Sequence, residues 1–301
     1  MNGEVVGIVG TGAVGQTLAA GLVLSDLPAR LVLVSRQRAQ VQGLAADLQD
    51  LAHAARSRSH VVAGEVADLH GCHAVVVALR TDFTNTAARD IRRGGASANT
   101  PAVGALARSL RGYSGTVLVV TNPVDLMARR FAEESGCTRV FGIGSNLDSV
   151  RYRLLLAQYA QVPPEAVDGH VIGEHGDRAV ICVSTTTVDS RPVAVPVRSV
   201  VEDLQRRPAL IRDGIGRTRN GPAGAVVSTL SKALGLVDGV EELSVPYGDV
   251  WLGIPIAFTA GTAVPSLPQL TRSERLRLDS AAGSLRDAYA HLPAPTERIA
   301  S

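Results

Sequence analysis

A histidine set between two acidic residues and two glycines is a candidate proton-transfer group. The stretch reads Gly173-Glu174-His175-Gly176-Asp177. Histidine changes its charge between about pH 5 and pH 8, which suits it to act as a general acid and base. A single histidine is more often structural or solvated, so the assignment depends on the residues that accompany it.

A glycine-rich turn lies near the start of the chain. The apolar run Val5–Val9 predicts a buried strand, and Gly10, Gly12 and Gly15 follow it in a GxGxxG pattern that opens a helix-like stretch. This context predicts a dinucleotide site, with the phosphates at the helix N-terminus; the alternative is a glycine turn without a ligand. The expected cofactor contacts in this turn are Gly10, Gly12, Ala13, Val14 and Gly15.

The residues after the second strand bear on the choice of cofactor. The apolar run Leu31–Val34 is followed by Ser35 and Arg36, where NAD-binding units carry an acid that accepts the ribose hydroxyls. An acid would repel a 2′-phosphate, whereas a serine beside an arginine would bind it. The sequence therefore predicts a preference for NADP(H) over NAD(H). The alternative is that Arg36 and Arg38 are solvated residues at a helix start and that the enzyme uses NAD.

Strands and helices alternate through the first half of the chain, which is typical of a doubly wound parallel sheet. Further strands are predicted at 61–62, 74–78, 116–120 and 140–143, and helices at 37–55, at 96–110 and after Asn122-Pro123. In the second half, helices are predicted at 149–160, 220–236 and 271–292, strands within 179–188, and an antiparallel pair at 241–246 and 250–258. The predicted fold class is α/β. A Rossmann-type doubly wound parallel sheet occupies a dinucleotide-binding domain of residues 1–145, and an α+β substrate and catalytic domain of residues 146–301 follows it.

The composition is that of a globular protein without a charged tail. The 301 residues are 46% hydrophobic and 19% charged, and the net charge is +2. Acids and bases are interspersed, which argues against a nucleic-acid partner, and prolines and glycines break the uncharged run 250–268, which argues against a membrane helix. Three separated cysteines without a CxxC or Cys/His cluster, and the absence of a signal-peptide pattern, predict a reduced cytoplasmic protein without a metal site.

Four segments taken together resemble the lactate/malate dehydrogenase family. They are Thr121–Asp125, Asn146–Arg153, Gly173–Asp177 and Asp249–Pro255, and their order and spacing fit along essentially the whole chain. The resemblance implies a nicotinamide-dependent oxidoreductase that acts on a small 2-oxo or 2-hydroxy acid. It also implies a homodimer or homotetramer.

The resemblance implies a role for each of four polar residues. His175 looks like the catalytic histidine that exchanges a proton with the substrate oxygen, and Asp148 looks like its carboxylate partner. Arg151, on the same helix face as Asp148, looks like the arginine that binds the substrate carboxylate with two parallel hydrogen bonds. Asn122 looks like the asparagine beside the nicotinamide that binds both cofactor and reacting oxygen. The alternatives are a helix-surface ion pair for Asp148 and Arg151, and a helix cap for Asn122.

The loop after the fourth strand departs from the family. It lacks the usual Lys-Pro-Gly and is a few residues longer. Because Arg92 lies seven residues before Asn99, the resemblance makes Arg92 the arginine that closes over the substrate and polarises its carbonyl. Arg89 and Arg93 are the alternatives. Leu79 stands where the family has a glycine, and its side chain is expected to crowd the cofactor backbone.

Two places bear on the identity of the substrate. The position that separates lactate-like from malate-like enzymes is Asp82 or Thr86, depending on where the insertion lies, and neither is the arginine expected for malate. Around Arg219-Asn220-Gly221, lactate-type enzymes carry a threonine followed by an aromatic residue. The polar side chains and the small glycine found here predict a substrate larger or more polar than pyruvate.

One departure concerns regulation. Allosteric bacterial members of the family bind a sugar bisphosphate with an arginine and a histidine, and Arg153 matches the arginine. Asp168 stands where the histidine would be, and an acid disfavours a phosphate. We therefore expect no activation of this kind.

The first hypothesis is an NADP- or NAD-dependent, lactate dehydrogenase-like 2-hydroxy-acid dehydrogenase. The second is a malate dehydrogenase. The third, from another class, is a dinucleotide-binding regulatory protein without turnover; the altered loop motivates it, and the presence of His175, Asp148 and Arg151 together argues against it.

Overall fold

The first half of the chain forms a parallel sheet of six strands. The computed structural model describes residues 3–82 and 93–294. The strands are β1 (Val5–Val9), β2 (Arg30–Val34), β3 (His60–Ala63), β4 (Ala74–Val77), β5 (Thr116–Val119) and β6 (Val140–Ile143). Their spatial order is β3-β2-β1-β4-β5-β6. The order reverses between β1 and β4, and the crevice beyond the carboxyl ends of those strands is where sheets of this kind bind ligands.

Helices connect these strands, because parallel neighbours need a long crossover. They are α1 (Ala13–Leu24), α2 (Arg38–Ala54), α3 (Ala96–Ser109) and α4 (Val124–Ser135). Every residue of β4, β5 and β6 is buried. This burial explains why the strands read as unbroken apolar runs in the sequence.

The second half adds antiparallel strands to the same sheet and also forms a separate sheet of three strands. Its helices are α5 (Ser145–Ala160), α6 (Val197–Ile215), α7 (Asn220–Ala233) and α8 (Arg272–Ala290). Its strands are β7 (Val167–Asp168), β8 (Val171–Gly173), β9 (Ala179–Ile181), β10 (Thr187–Val188), β11 (Arg191–Pro192), β12 (Gly239–Tyr247), β13 (Val250–Thr259) and β14 (Thr262–Pro265). Strand β12 pairs with β6, and the order then runs β12-β13-β8-β9, with β14 also on β13. The separate sheet has the order β11-β10-β7. The predicted fold class and the antiparallel β12–β13 pair are confirmed.

Helix α6 was not among the predicted elements. It contains Pro208, and within its 19 residues, all of them described, only Val200 is buried. A helix that buries so little is held by its packing on α5, which its local sequence does not reveal. The stretch 179–188, predicted as strand, forms β9, a short 3₁₀ turn over Val183–Thr185, and β10.

The capping box predicted before the last helix is present. The Thr271 hydroxyl accepts a hydrogen bond from the backbone N–H of Glu274, and the Glu274 carboxylate accepts one from the backbone N–H of Thr271 at 2.8 Å. The same carboxylate accepts bonds from the hydroxyl and the backbone N–H of Ser184. Burial opposes the charged form, but these hydrogen bonds hold the pKa of Glu274 at about 2.

The three cysteines are buried as free thiols. Among the described residues, no helix combines the length and the apolar character that crossing a membrane would require.

Candidate active site

The glycine turn between β1 and α1 has the geometry that its pattern requires. Gly10 has a φ of +105°, and a Cβ there would lie 2.6 Å from the carbonyl oxygen of Ala78. A Cβ at Gly15 would lie 1.9 Å from the carbonyl oxygen of Gly10, so the close packing of α1 on the turn depends on that glycine. A Cβ at Gly12 would meet no atom within 4 Å. The space above Gly12, at the N-terminus of α1, is therefore open to a ligand.

A cavity of about 790 Å³ extends from this turn towards the end of β2. It is lined by Gly10 and Gly12, by Ser35 and Arg36, by the segment that follows β4, and by residues of α3. Ser35 is half-buried and Arg36 is exposed, and Arg36 forms no ion pair with another described residue. Arg38 is the first residue of α2 and does not line this cavity. A nucleotide fits here, because the cavity joins an open helix N-terminus to polar side chains at the end of β2.

His175 and Asp148 form a buried pair. His175 follows β8, and Asp148 lies in the first turn of α5. The distance between His175 Nδ1 and Asp148 Oδ2 is 2.6 Å, and the two residues are 9% and 8% exposed. A carboxylate at this distance fixes the orientation of the imidazole and stabilises its charged form, because little water screens the two groups.

Arg151 lies one helical turn after Asp148 and contacts it. The distance between Arg151 Nη1 and Asp148 Oδ1 is 3.4 Å, and both side chains are buried. The alternative of a helix-surface ion pair is wrong, because neither group is on the surface. A buried guanidinium beside a histidine can bind a carboxylate with two hydrogen bonds.

A second cavity, of about 420 Å³, brings the glycine turn and the histidine together. Its lining includes Gly12, Ala13 and Val14 from the turn. It also includes Asn122, Arg151 and His175, which come from later parts of the chain. Residues of α6, of the connection between α6 and α7, and of the start of α7 complete it: Pro208, Arg212, Gly216, Arg217, Thr218 and Pro222. Residues as far apart in the chain as Gly12 and Pro222 thus surround a space suited to one small molecule next to a dinucleotide.

Asn122 is exposed, and its backbone carbonyl accepts a hydrogen bond from Asn99 Nδ2 at 2.8 Å. Helix α4 begins after Pro123 without a side-chain hydrogen bond at its cap, so the alternative role of Asn122 as a helix cap is not seen. Asn99 also accepts a hydrogen bond from the backbone N–H of Thr81 at 2.9 Å. Asn99 therefore ties the segment after β4 to the segment after β5, a role that its sequence position did not reveal.

A second residue that the sequence did not single out is Asp125, in the first turn of α4. It is 2% exposed, and its Oδ2 accepts a hydrogen bond from the backbone N–H of His175 at 2.9 Å. Burial raises the pKa of Asp125 to about 7, and the nearby carboxylates of Glu174 and Asp148 add to the rise. Asp125 thus accepts a hydrogen bond from the backbone of His175, while Asp148 contacts its imidazole ring.

The loop residues predicted to act on the substrate lie largely outside the described structure. Arg89, Arg92 and Thr86 fall outside the described residues, and of the three arginines only Arg93 lies within them, at the start of a 3₁₀ turn. Asp82 is exposed and lines the larger cavity, on the side of the glycine turn, and not the smaller one.

Leu79 lines both cavities, and its backbone carbonyl accepts a hydrogen bond from the hydroxyl of Thr121 at 2.7 Å.

The sequence predicted that Arg219 and Asn220 make the substrate cavity more polar, but the structure places other residues there. Neither residue lines the smaller cavity, nor does Gly221, whereas Arg217 and Thr218 do.

The site that would correspond to a sugar bisphosphate is filled by the protein's own carboxylate. Glu242 is buried, and its Oε1 lies 3.2 Å from Arg153 Nη1 and 2.6 Å from His170 Nδ1. Asp168 lies 3.8 Å from the same imidazole. Arg153 is therefore already paired with an acid, and the absence of activation by a sugar bisphosphate stays a prediction.

Comparisons with known proteins agree with this arrangement. The family profile described as "lactate/malate dehydrogenase, NAD binding domain" matches residues 5–142, and "lactate/malate dehydrogenase, alpha/beta C-terminal domain" matches residues 145–229. The chain is 30% identical over 310 residues to L-lactate dehydrogenase 1 of Bifidobacterium longum, which covers 95% of this chain and 97% of that protein. It is 32% identical over 300 residues to L-lactate dehydrogenase of Deinococcus radiodurans, which covers 93% and 97%.

Solved structures show the same fold. The minor L-lactate dehydrogenase of Enterococcus mundtii superposes with a TM-score of 0.89 at 22% identity, over 97% of this chain and 99% of that one. The malate dehydrogenase of Cryptosporidium parvum gives 0.88 at 21% identity, over 96% and 98%. These likenesses and the profile match to an NAD-binding domain confirm the predicted dinucleotide-binding fold. The chain belongs to the lactate/malate dehydrogenase family of oxidoreductases.

Proposed function

We propose that this protein is a lactate dehydrogenase-like enzyme that interconverts a 2-hydroxy acid and a 2-oxo acid, prefers NADP(H), and acts on a substrate larger or more polar than pyruvate. The observation that carries the proposal is the group formed by Asp148, His175 and Arg151. All three are buried, and His175 and Arg151 line one cavity with the glycine turn at Gly12. A protein that only binds a dinucleotide has no need of this group.

The roles follow from the contacts. Arg151 binds the substrate carboxylate and so presents the second carbon of the substrate to the nicotinamide. His175 donates a proton from its Nε2 to the carbonyl oxygen during reduction and removes it during oxidation, because its Nδ1 is held by Asp148. Asp148 stabilises the imidazolium before the proton is given up. When bound, the nicotinamide cofactor supplies or accepts the hydride.

The remaining roles rest on position alone. Asn122 lines the same cavity as the glycine turn and Arg151 and is the candidate to contact both nicotinamide and reacting oxygen. Arg92 stays the candidate for the arginine that polarises the carbonyl, with Arg89 and Arg93 as alternatives. Residues 1–145 would form the cofactor-binding domain and residues 146–301 the catalytic domain.

The preference for NADP(H) is supported by the wall of the larger cavity. Ser35 directly follows β2, where an acid would bind the ribose of NAD, and Arg36 lies beside it without an acidic partner among the described residues. Arg36→Ala should weaken binding of NADPH by about tenfold or more and leave binding of NADH nearly unchanged, because it removes a charge that only the 2′-phosphate meets. Arg38→Ala is the matched control, since Arg38 does not line the cavity. Equal NADPH affinity in all three proteins would contradict the phosphate assignment.

The activity itself is tested with a panel of 2-oxo acids, each assayed with NADPH and with NADH. Turnover of several acids by the wild-type protein, and its loss by at least about a hundredfold in His175→Asn with cofactor affinity unchanged, would support the proposal. A clear optimum for pyruvate would contradict the expectation of a larger substrate, and an optimum for oxaloacetate would favour a malate dehydrogenase. Unchanged turnover in His175→Asn would refute the assignment of the histidine.

We also propose a cytoplasmic homodimer or homotetramer. The family supports it, and so does a group of large apolar side chains that are exposed in the single chain, at Leu236, Val237 and Val240. Light scattering after size-exclusion chromatography measures the mass directly. A mass equal to one chain across the micromolar range would refute it.

A further inference from the structure

The cavity that holds His175 has more positive charge than the proposed reaction on a simple acid requires. Of the residues that the structure describes, four arginines line it: Arg80, Arg151, Arg212 and Arg217. None of its lining residues within the described part of the chain is an Asp or a Glu. Such a wall of one sign attracts anions and makes the binding of a neutral group less favourable.

Two of the four arginines have an assignment under the proposed function. Arg151 is buried beside His175 and binds the substrate carboxylate. Arg80 lines both the larger and the smaller cavity, as Gly12 of the glycine turn does, and is therefore assigned to the cofactor phosphates. Neither the carboxylate at Arg151 nor the phosphates at the glycine turn accounts for Arg212 and Arg217.

Arg212 lies in the last turn of α6, and Arg217 lies in the connection between α6 and α7, which we call the α6–α7 corner. Arg80 and Arg151 lie in other parts of the fold. Arg217 directly follows Gly216, which ends α6 with a φ of +80°. It is exposed and forms no ion pair with another described residue. The described partner of Arg212 is its neighbour Asp213, at 3.4 Å, and both side chains are more than half exposed, so this pair is weak.

The start of α7 adds to the same charge. Its first turn contains no acidic residue, and Thr218 and Pro222, on either side of that start, line the cavity. The amino end of a 14-residue helix has a partial positive charge, which strengthens the attraction of Arg217 for an anion.

We propose that Arg217, with Arg212, forms a subsite for a second carboxylate, at the end of the substrate chain opposite the one that Arg151 binds. The substrate class is then a 2-oxo or 2-hydroxy acid with a terminal carboxylate. This inference rests on the proposed function. It names the polar group, a terminal carboxylate, that would make the substrate more polar than pyruvate. The second carboxylate is bound from the α6–α7 corner.

The test uses pairs of 2-oxo acids that have nearly the same shape and differ in terminal charge. Oxaloacetate is paired with 4-methyl-2-oxopentanoate, 2-oxoglutarate with 5-methyl-2-oxohexanoate, and 2-oxoadipate with 6-methyl-2-oxoheptanoate. The kcat/KM of each is measured for the wild type, Arg217→Gln, Arg212→Gln and the control Arg206→Gln. Arg206 is an exposed arginine of α6 that does not line the cavity.

We expect the wild type to prefer the diacid of at least one pair by about tenfold or more. Arg217→Gln should lower kcat/KM for that diacid by about tenfold, mainly through KM, and change its branched partner less than about twofold. Arg212→Gln should act in the same direction by a smaller factor, since its charge is shared with Asp213. The preference should weaken as salt is added, because the subsite is exposed. Arg206→Gln should change neither member of a pair.

Three results would overturn the subsite. One is turnover of the branched acids by the wild type with no preference for any diacid. Another is an equal loss on both members of a pair in Arg217→Gln. The third is a loss of cofactor affinity in Arg217→Gln with the diacid preference intact, which would assign Arg217 to the cofactor phosphates. Absence of turnover with all six acids would instead refute the proposed function itself, and the subsite with it.

Discussion

Asp125→Asn should make the stability of the protein less sensitive to pH. Asp125 is 2% exposed, and burial raises the pKa of its carboxyl from 3.8 to about 7. In the unfolded chain the same group titrates near its ordinary value of about 3.9. Between those two values the folded protein therefore binds more protons than the unfolded chain at this position.

The sign and the size of the effect follow from that difference. The contribution of Asp125 to the free energy of unfolding falls as the pH rises through the window from about 4 to about 7. It falls by about 1.4 kcal/mol per pH unit, or about 4 kcal/mol in total. Asparagine has the same shape, cannot ionise, and keeps a carbonyl oxygen to accept the hydrogen bond from the backbone N–H of His175. The stability of the variant relative to the wild type should therefore rise by about 4 kcal/mol across the window.

The measurement is urea unfolding of both proteins at intervals from pH 4.5 to pH 8. Comparing the variant with the wild type at each pH cancels the titration of the other groups. Asp279→Asn, an exposed carboxylate on α8, is the control and should show no such trend. A variant-minus-wild-type difference that stays constant within about 0.5 kcal/mol from pH 5 to pH 8 would refute the raised pKa of Asp125. Since the acceptor for His175 is kept, the kcat of Asp125→Asn near neutral pH should stay within about threefold of the wild type.

Three further substitutions test other contacts of the structure. Asp148→Asn should lower kcat by about a hundredfold or more with cofactor affinity unchanged, because the imidazolium of His175 loses its charged partner; stopped-flow single turnover measures this, and a loss of under threefold would contradict it. Gly15→Ala should destabilise the fold by about 2 kcal/mol or more, since the new Cβ would meet the carbonyl oxygen of Gly10 at 1.9 Å. Urea unfolding should show the lower stability, and dinucleotide binding should weaken. A stable variant with normal binding would show that the turn can shift. Thr271→Ala should lower the unfolding free energy by about 1 kcal/mol through the loss of the helix cap, and an unchanged urea midpoint would mean that the cap contributes nothing.

The parallel sheet could be predicted because its strands are buried on both faces. Residues such as those of β1 and β4 have no solvent-facing side, so the sequence presents unbroken apolar runs separated by helix patterns. The glycine turn could be predicted for a similar reason, because the space allowed at Gly10 and Gly15 tolerates no side chain. In these places the local sequence contains the whole cause of the local structure.

The contacts that could not be predicted join residues far apart in the chain. The hydrogen bond between Asp125 and the backbone of His175 spans 50 positions, and nothing near Asp125 in sequence marks it as a partner of the histidine. The presence of Arg217 in the cavity depends on α6, a helix that buries a single residue fully and is held by α5. Polar side chains at this end of the cavity were therefore expected at Arg219 and Asn220, whereas Arg217 and Thr218 line it. The contact between His175 and Asp148, in contrast, could be expected from the family resemblance.

The pairing of β6 with β12 has a consequence for synthesis of the chain. Ile143 on β6 pairs with Leu243 on β12, so the edge of β6 stays without its neighbour until about 100 more residues have been made. At about 5–20 residues per second this interval lasts roughly 5–20 seconds. An open strand edge can pair with the edge of another nascent chain, and the brevity of β6, at four residues, limits that hazard. Ribosome-bound intermediates that end between residues 150 and 240 should be the ones most dependent on chaperones.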